Sequence, residues 1–192
     1  KILLVFLLLS HITYGSFDLN NNINKSYEYI LNLEFDKASS ILENEANQNS
    51  SNGFIYLYNN YIDFLTIIIT EDLNYFKSRE YLKQYRLNLL DTLDNNSPYY
   101  LYAKAEILLQ WSLSRLKFEQ YYKAAFEMIS AYRLLSENQK KFPEFTLNNK
   151  GLGLIYSLMA LVPDEFDWIL DFIGLETADN FGLKKLELVL ND

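Results

Sequence analysis

The scarcity of turn-forming residues is the feature that most constrains how this chain can fold. Its 192 residues include only 6 Gly and 3 Pro, too few for a sandwich or barrel, which needs a turn about every 8–12 residues. The breaks fall at Asn47–Gly53, Asp94–Pro98, Phe142-Pro143, Asn148–Gly153 and Pro163-Asp164. Between them, apolar residues recur at helical spacing. The sequence therefore predicts an all-α protein of stacked antiparallel helix hairpins.

Helices are predicted throughout the segments between these breaks. They cover Ile23–Leu33, Glu34–Gln48, Phe54–Thr70, Glu71–Leu93, a helix from Pro98 through Leu116, a helix through Ala124 and Leu135 that Pro143 closes, and about Leu147–Leu161, Asp164–Ile173 and Ala178–Leu190. The run Ile67-Ile68-Ile69 could instead favour a strand, because β-branched residues are enriched there. No similar run could pair with it, so a helix is preferred.

The first residues have the pattern of an export signal. Lys1 precedes the apolar run Ile2–Leu9, as a charged n-region precedes an apolar h-region. This run is far shorter than the roughly 20 residues that cross a bilayer. We expect residues 1–15 to be a signal peptide cut before Ser16, and residues 16–192 to form the helical-hairpin domain. This predicts an exported, periplasmic or envelope-associated protein with no membrane span in its mature chain.

Composition excludes several functional classes. The chain has no Cys, and its one His, His11, lies in the expected signal peptide. A mature chain without imidazole or thiolate cannot build Ser-His-Asp or Cys-His catalytic sites or ordinary zinc sites. The formal charge of −8 argues against nucleic acid, whose phosphates need a basic surface. We therefore predict no catalytic residue, no metal and no cofactor, and hence not an enzyme.

Three acids near the C-terminus are candidates for carboxylate chemistry or calcium binding. Asp164, Asp167 and Asp171 recur at i, i+3 and i+7 beside Trp168, and a pair of carboxylates can act as acid and base on a sugar. They also follow Pro163 at a predicted helix start, where acids stabilise the positive end of the helix dipole. Capping is the preferred interpretation.

A basic stripe on the predicted helix Glu71–Leu93 is one candidate binding site. Arg79, Lys83 and Arg86 lie at i, i+4 and i+7 and are predicted to point outward, opposite Phe76 and Tyr85. Such a stripe could hold a partner's carboxylate. The alternative is an ordinary solvated face.

An aromatic run is the second candidate binding site. Tyr99, Tyr100 and Tyr102 could stack on a peptide or a sugar, because tyrosine combines a flat apolar body with a polar tip. The alternative is that they pack in the seams between helices.

Two spacings resemble the tetratricopeptide repeat. They are Leu108-x-x-Trp111-Ser112 and Tyr121-x-x-Ala124-x-x-x-Met128-x-x-Ala131, although Arg115 stands where that repeat has a central Tyr. With helix pairs recurring about every 40–45 residues, the resemblance implies a tetratricopeptide-like α-solenoid.

Longer segments are similar to a group of exported tetratricopeptide-like proteins from Bacteroidetes-type bacteria. They are Tyr58–Leu65, Asn96–Glu106 and Asn138–Pro143. The resemblance implies a fold and a compartment but no activity. It also implies longer members, and hence a chain truncated at Asp192. The last predicted helix would then expose an apolar stripe, so self-association of this fragment is expected.

Two functions follow from these observations as hypotheses. The leading one is a non-enzymatic scaffold of the bacterial cell envelope that binds a protein or peptide between stacked helix pairs. The alternative is a carbohydrate-binding or carbohydrate-processing accessory protein that uses tyrosine and carboxylate side chains.

Overall fold

A computed structural model describes residues 16–159 and residue 189. In that part of the chain there are seven helices and no strand: α1 (Asn21–Leu31), α2 (Phe35–Gln48), α3 (Gly53–Thr70), α4 (Leu73–Leu90), α5 (Pro98–Lys117), α6 (Tyr121–Lys141) and α7 (Leu147–Met159). The all-α prediction is confirmed. The run Ile67–Ile69 lies inside α3, so the strand alternative is wrong.

Several predictions fall on residues that the structure does not describe. The expected signal peptide at 1–15 and the acids Asp164, Asp167 and Asp171 all lie outside the described residues. The predicted helices Asp164–Ile173 and Ala178–Leu190 do so too, apart from residue 189. The self-association expected of the last helix therefore remains a prediction.

Side-chain caps explain where several helices begin. Asn20, Asn52 and Ser97 each accept a hydrogen bond from a backbone N–H at the start of α1, α3 and α5, respectively. Asp72 does the same for α4, with its Oδ1 2.7 Å from the backbone N of Asn74. These residues satisfy amides that have no partner inside their helix. The predicted start at Ser97-Pro98 is correct.

One predicted break is wrong. The helix predicted at about Leu147–Leu161 is present over Leu147–Met159, but the break expected at Asn148–Gly153 lies inside it. A Cβ on Gly151 would lie 2.6 Å from Leu135 Cδ1. Glycine is therefore present because α7 packs closely on α6 at that point, and not because the chain turns.

Tight turns join the helices into pairs. The α1–α2 and α5–α6 turns share one conformation, with Leu33 at φ 59° and Glu119 at φ 56°. In each turn, the N–H of the next residue donates back to a carbonyl five residues earlier: Glu34 to Tyr29 at 2.8 Å, and Gln120 to Arg115 at 2.9 Å. This bonding closes the end of a helix and reverses the chain.

The pairs pack in a regular order. The odd-numbered helices contact one another in sequence, α1 with α3, α3 with α5, and α5 with α7. Each of α2, α4 and α6 then packs on the two odd-numbered helices that flank it in the chain. The odd-numbered helices begin at Asn21, Gly53, Pro98 and Leu147, so the units differ in length and are not a regular 40–45-residue repeat. Their buried seam includes Ile23, Phe76, Trp111, Leu135 and Ile155.

Candidate functional site

The predicted basic stripe on α4 does not point outward as a whole. Arg86 is 8% exposed, and its Nη2 lies 2.6 Å from Asp63 Oδ2 on α3. Its Nη1 lies 3.0 Å from Asn60 Oδ1. A buried carboxylate needs a charged partner, and Asp63 provides the reason that Arg86 turns inward. The prediction that Arg86 faces solvent is therefore wrong.

The other two residues of the stripe are also engaged within the chain. The Arg79 guanidinium lies 4.8 Å from the centre of the Tyr75 ring, and its Nε is 3.5 Å from Asp63 Oδ1. Lys83 Nζ lies 2.5 Å from Glu127 Oε1 on α6. The stripe binds carboxylates, as its chemistry predicts, but they belong to α3 and α6 of the same chain.

Arg115 completes this network at the position where the tetratricopeptide motif has a tyrosine. Its side chain is buried, with Nε 2.9 Å from Glu127 Oε1 and Nη2 2.8 Å from Glu80 Oε1. Arg115 thus links α4, α5 and α6. A hydrogen-bonded buried arginine fixes how these helices meet, which gives this departure from the motif a structural role.

The three tyrosines of the predicted aromatic site lie in different surroundings. Tyr99 packs against Phe54 and Phe145, with ring centres 5.0 and 4.9 Å apart. The Tyr100 hydroxyl donates to Asp91 Oδ1 at 2.9 Å. Tyr102 is buried. They do not form one exposed surface, and Tyr99 and Tyr102 pack in seams between helices.

The Tyr100 hydroxyl donates to a charged carboxylate, that of Asp91. Burial alone would raise the pKa of Asp91, but the hydrogen bonds that Lys104 and Tyr100 donate outweigh this effect and lower the pKa. The carboxylate is therefore ionised at neutral pH and already has two donors. Tyr100 serves to attach the end of α4 to α5.

Tyr102 belongs to a cluster that the sequence did not predict. We define the tyrosine cluster as Tyr27 of α1, Tyr58 and Tyr61 of α3, Tyr102 and Glu106 of α5, and Lys150 of α7. The Tyr27 and Tyr58 rings are stacked, with centres 5.3 Å apart and an interplanar angle of 26°. Tyr61 meets Tyr58 edge-on at 6.3 Å. All four odd-numbered helices contribute to it.

Lys150 connects the tyrosines to the one carboxylate of the cluster. Its Nζ donates to Tyr61 Oη and to Glu106 Oε2, each at 2.8 Å. It also lies 5.5 Å from the centre of the Tyr61 ring and 5.7 Å from that of Tyr102. The Tyr61 hydroxyl donates to the same Glu106 oxygen. The ammonium is thus held by hydrogen bonds and two aromatic faces.

These contacts set the protonation states in the cluster. Burial alone would lower the pKa of Lys150, but the neighbouring Glu106 carboxylate outweighs this effect and raises the pKa. Burial also raises the pKa of Tyr58, Tyr61 and Tyr102 above the ordinary value for tyrosine. At neutral pH the lysine is therefore charged and the phenols are neutral hydrogen-bond donors.

The rim of the cluster is open to solvent. The Tyr27 residue and the Lys150 side chain are each 37% exposed, while Tyr58 and Tyr102 form a buried floor. Lys150 donates to Tyr61 and Glu106 and also forms a side-chain hydrogen bond with Tyr102. Neither Tyr27 nor Tyr58 donates its hydroxyl to another described residue. The cluster can therefore stack on a flat group and donate hydrogen bonds to it.

Sequence spacing gave no signal for this cluster. Tyr61 and Glu106 are 45 residues apart, and Lys150 and Tyr61 are 89 apart. Tyr58 and Glu106 lie within the segments that carry the resemblance, but nothing in those segments shows that they meet. Their proximity depends on how the odd-numbered helices pack.

Comparisons with known proteins add no identification. No protein-family model, curated protein or solved structure matches the chain. Among the described helices, none is both long enough and apolar enough to cross a bilayer. Within residues 16–159 and 189, no three or more His, Cys, Asp or Glu side chains come together as a group that could hold a metal ion.

Proposed function

We propose that this chain is a non-enzymatic scaffold that binds a protein or peptide through the tyrosine cluster. The proposal includes a tetratricopeptide-like stack of hairpins exported to the bacterial cell envelope. Its support is the packing order, in which the odd-numbered helices lie in sequence and each even-numbered helix packs on two of them. Stacked hairpins offer an extended surface that suits a polypeptide ligand.

One observation carries the proposal. The tyrosine cluster draws on α1, α3, α5 and α7 together, and its exposed groups, Tyr27 and Lys150, come from the two outermost of these helices. Tyrosine supplies much of the binding energy at many protein interfaces because it buries a large rigid surface and still donates a hydrogen bond.

The carbohydrate alternative has one observation in its favour. The exposed Tyr27 ring is stacked on Tyr58, and a ring supported in this way can also receive the flat face of a sugar. Glu106, the carboxylate of the cluster, is poorly placed for sugar binding, because it is 3% exposed and cannot reach a glycan hydroxyl without a rearrangement.

The two functions can be separated with one pair of variants. Tyr27→Ala removes the exposed ring, and Tyr81→Ala is the matched control, since Tyr81 is 69% exposed on α4, outside the cluster. We expect peptides or proteins captured from envelope extract by the full chain to be lost with Tyr27→Ala and kept with Tyr81→Ala. Glycan-array binding that depends on Tyr27, with no captured polypeptide, would favour the alternative and refute the proposal.

Export is tested separately. The segment from Ser16 onward takes part in the fold, because Ser16 O accepts a hydrogen bond from Gly53 N at 2.7 Å and Phe17 packs on Phe54 with ring centres 5.6 Å apart. We therefore expect N-terminal sequencing of the exported protein to begin at Ser16. A product that begins at Lys1 and remains in the inner membrane would contradict export with cleavage.

A further inference from the structure

We propose that Asn52-Gly53 is a latent deamidation site, and that the segment Ser16–Asp18 protects it for as long as this segment stays docked. The inference goes beyond the proposed function, because it concerns a chemical modification of the chain itself. Asn52-Gly53 is the only Asn-Gly pair in the sequence. Such a pair loses the asparagine amide readily, because glycine has no side chain to hinder attack by its backbone nitrogen. We call Ser16–Asp18 the N-terminal strap.

The reaction requires a free backbone nitrogen and a free side-chain amide. The Gly53 nitrogen loses its proton to solvent and attacks Asn52 Cγ, which forms a C–N bond and closes a cyclic imide. The Cγ–Nδ2 bond breaks, and Nδ2 leaves as ammonia. Water then hydrolyses the imide at either carbonyl and gives aspartate or isoaspartate. In total, one amide and one water become one carboxylate and one ammonium ion.

The fold occupies both of these groups. The Gly53 N–H donates to Ser16 O at 2.7 Å, so the N-terminal strap holds the nucleophile. Asn52 is fully buried, and its Nδ2 donates to Asp18 O at 2.8 Å and to Glu45 Oε1 at 3.0 Å. Burial also excludes the water that hydrolysis consumes. The pair is therefore protected while the strap is docked.

Phe17 anchors the N-terminal strap and explains why the chain has glycine at position 53. Its ring packs on those of Phe54 and Tyr99, with ring centres 5.6 and 6.2 Å away. A Cβ on Gly53 would lie 2.4 Å from Phe17 Cε1, so glycine leaves room for the ring. Asn52 is required as well, because its side chain caps α3. The fold thus needs this reactive pair, and the strap that needs it also shields it.

Deamidation would prevent the N-terminal strap from docking again in the same way. Either product lacks the Nδ2 donor and carries a negative charge, so Asp18 O loses its hydrogen bond. Burial alone would raise the pKa of Glu45, but hydrogen bonds from Asn52 and two other asparagines outweigh this effect and lower the pKa. The ionised Glu45 carboxylate would then face a like charge. The modification converts a reversible opening of the strap into a permanent one.

The test follows deamidation of the full chain at mildly alkaline pH, by peptide mapping and an isoaspartate assay. In urea, Asn52 should react faster than every other asparagine, and in the folded chain it should be protected. Phe17→Ala should accelerate the reaction of folded Asn52 at least about tenfold, equivalent to about 1.4 kcal/mol in the opening equilibrium. Leu19→Ala is the matched control, since Leu19 is 44% exposed beside the strap, and it should leave the rate unchanged. Circular dichroism checks that each variant keeps its helices.

Arg86→Met distinguishes opening of the strap from unfolding of the whole chain. Arg86 forms an ion pair with Asp63 and lies outside the strap, so its loss should leave the Asn52 rate unchanged if only the strap opens. Equal acceleration by Phe17→Ala and Arg86→Met would overturn the proposal. So would equal Asn52 rates in the folded and the urea-unfolded chain, or a Phe17→Ala rate equal to that of the unmodified chain.

Asn52→Asp tests the consequence directly. Aspartate still caps a helix, so this variant should fold. Hydrogen exchange at the Gly53 amide should be at least about tenfold faster than in the unmodified chain, because the strap no longer docks fully. Unchanged protection of that amide would show that the modification does not release the strap, and would overturn this part of the proposal.

Discussion

Replacing Arg86 by methionine tests whether the basic stripe of α4 faces the interior or the solvent. Met fills most of the volume of the arginine stem but has no charge and no donor. The substitution would remove the partner 2.6 Å from Asp63 and the donor 3.0 Å from Asn60. Both ends of this ion pair are buried, with side chains 9% and 8% exposed.

The expected cost follows from that burial. Removing one member of a buried ion pair destabilises a protein by about 3–5 kcal/mol, because the remaining charge is left without compensation. Asp63 would keep the Tyr75 hydroxyl at 2.8 Å and Arg79 Nε at 3.5 Å, which places the expected loss near the lower limit, at about 3 kcal/mol. A substitution on a solvated face changes stability by only about 0.5 kcal/mol or less.

Urea unfolding followed by circular dichroism would measure the difference. With a slope of about 2 kcal/mol per molar urea, a loss of about 3 kcal/mol lowers the midpoint by about 1.5 M. Lys77→Met is the matched control, since Lys77 is exposed on the same helix. Equal midpoints for the two variants would refute the buried ion pair. Asp63→Asn added to Arg86→Met should recover part of the loss, because it removes the uncompensated charge.

Three further outcomes are expected. Ala131→Leu should destabilise the chain by about 1–3 kcal/mol, because Ala131 is fully buried between helices. Ser130→Leu, at an exposed position of the same helix, is the control. A loss of stability below about 0.5 kcal/mol would contradict this packing. Hydrogen bonds from three asparagines outweigh burial and lower the pKa of Glu45 below 4.5, so Glu45 stabilises the fold above that pH and less as the pH falls through its folded pKa. The difference between the urea midpoints measured at neutral and at acid pH should therefore be smaller in Glu45→Gln than in the unmodified chain. The same difference in both would refute this. Calorimetry of the mature chain should show no tight zinc binding, because its sequence lacks Cys and His; micromolar affinity would contradict it.

The helices could be predicted because their signals are local. Ser97 and Pro98 lie next to each other at the start of α5, and the apolar period of each segment is visible within a few turns. The inward face of α4 was predicted only in part: Phe76 is buried as predicted, whereas Tyr85, predicted to point inward, is exposed. Tyr81 is also exposed, whereas Arg86 is buried. Asp63 on α3 forms an ion pair with Arg86, and Glu127 on α6 forms one with Lys83, so carboxylates on other helices determine which basic residues of α4 turn inward.

The tyrosine cluster was predicted only in part for a related reason. Tyr99, Tyr100 and Tyr102 were grouped because they are adjacent in sequence, but successive residues of an α-helix point about 100° apart. They therefore reach different neighbours. Only Tyr102 joins the tyrosine cluster. Its partner there, Lys150, lies on α7, two helices further along the chain than α5.

The tight turns described above have a consequence for the order of folding. Closing a loop of two or three residues costs little entropy, whereas contacts between distant segments must first overcome a larger loop-closure term. The α5–α6 pair has a three-residue turn and, among the seven described helices, the most extensive contact. The Lys150–Glu106 contact, in contrast, spans 44 residues. We expect α5 and α6 to acquire amide protection early in refolding, in pulsed hydrogen exchange, and α7 to acquire it last.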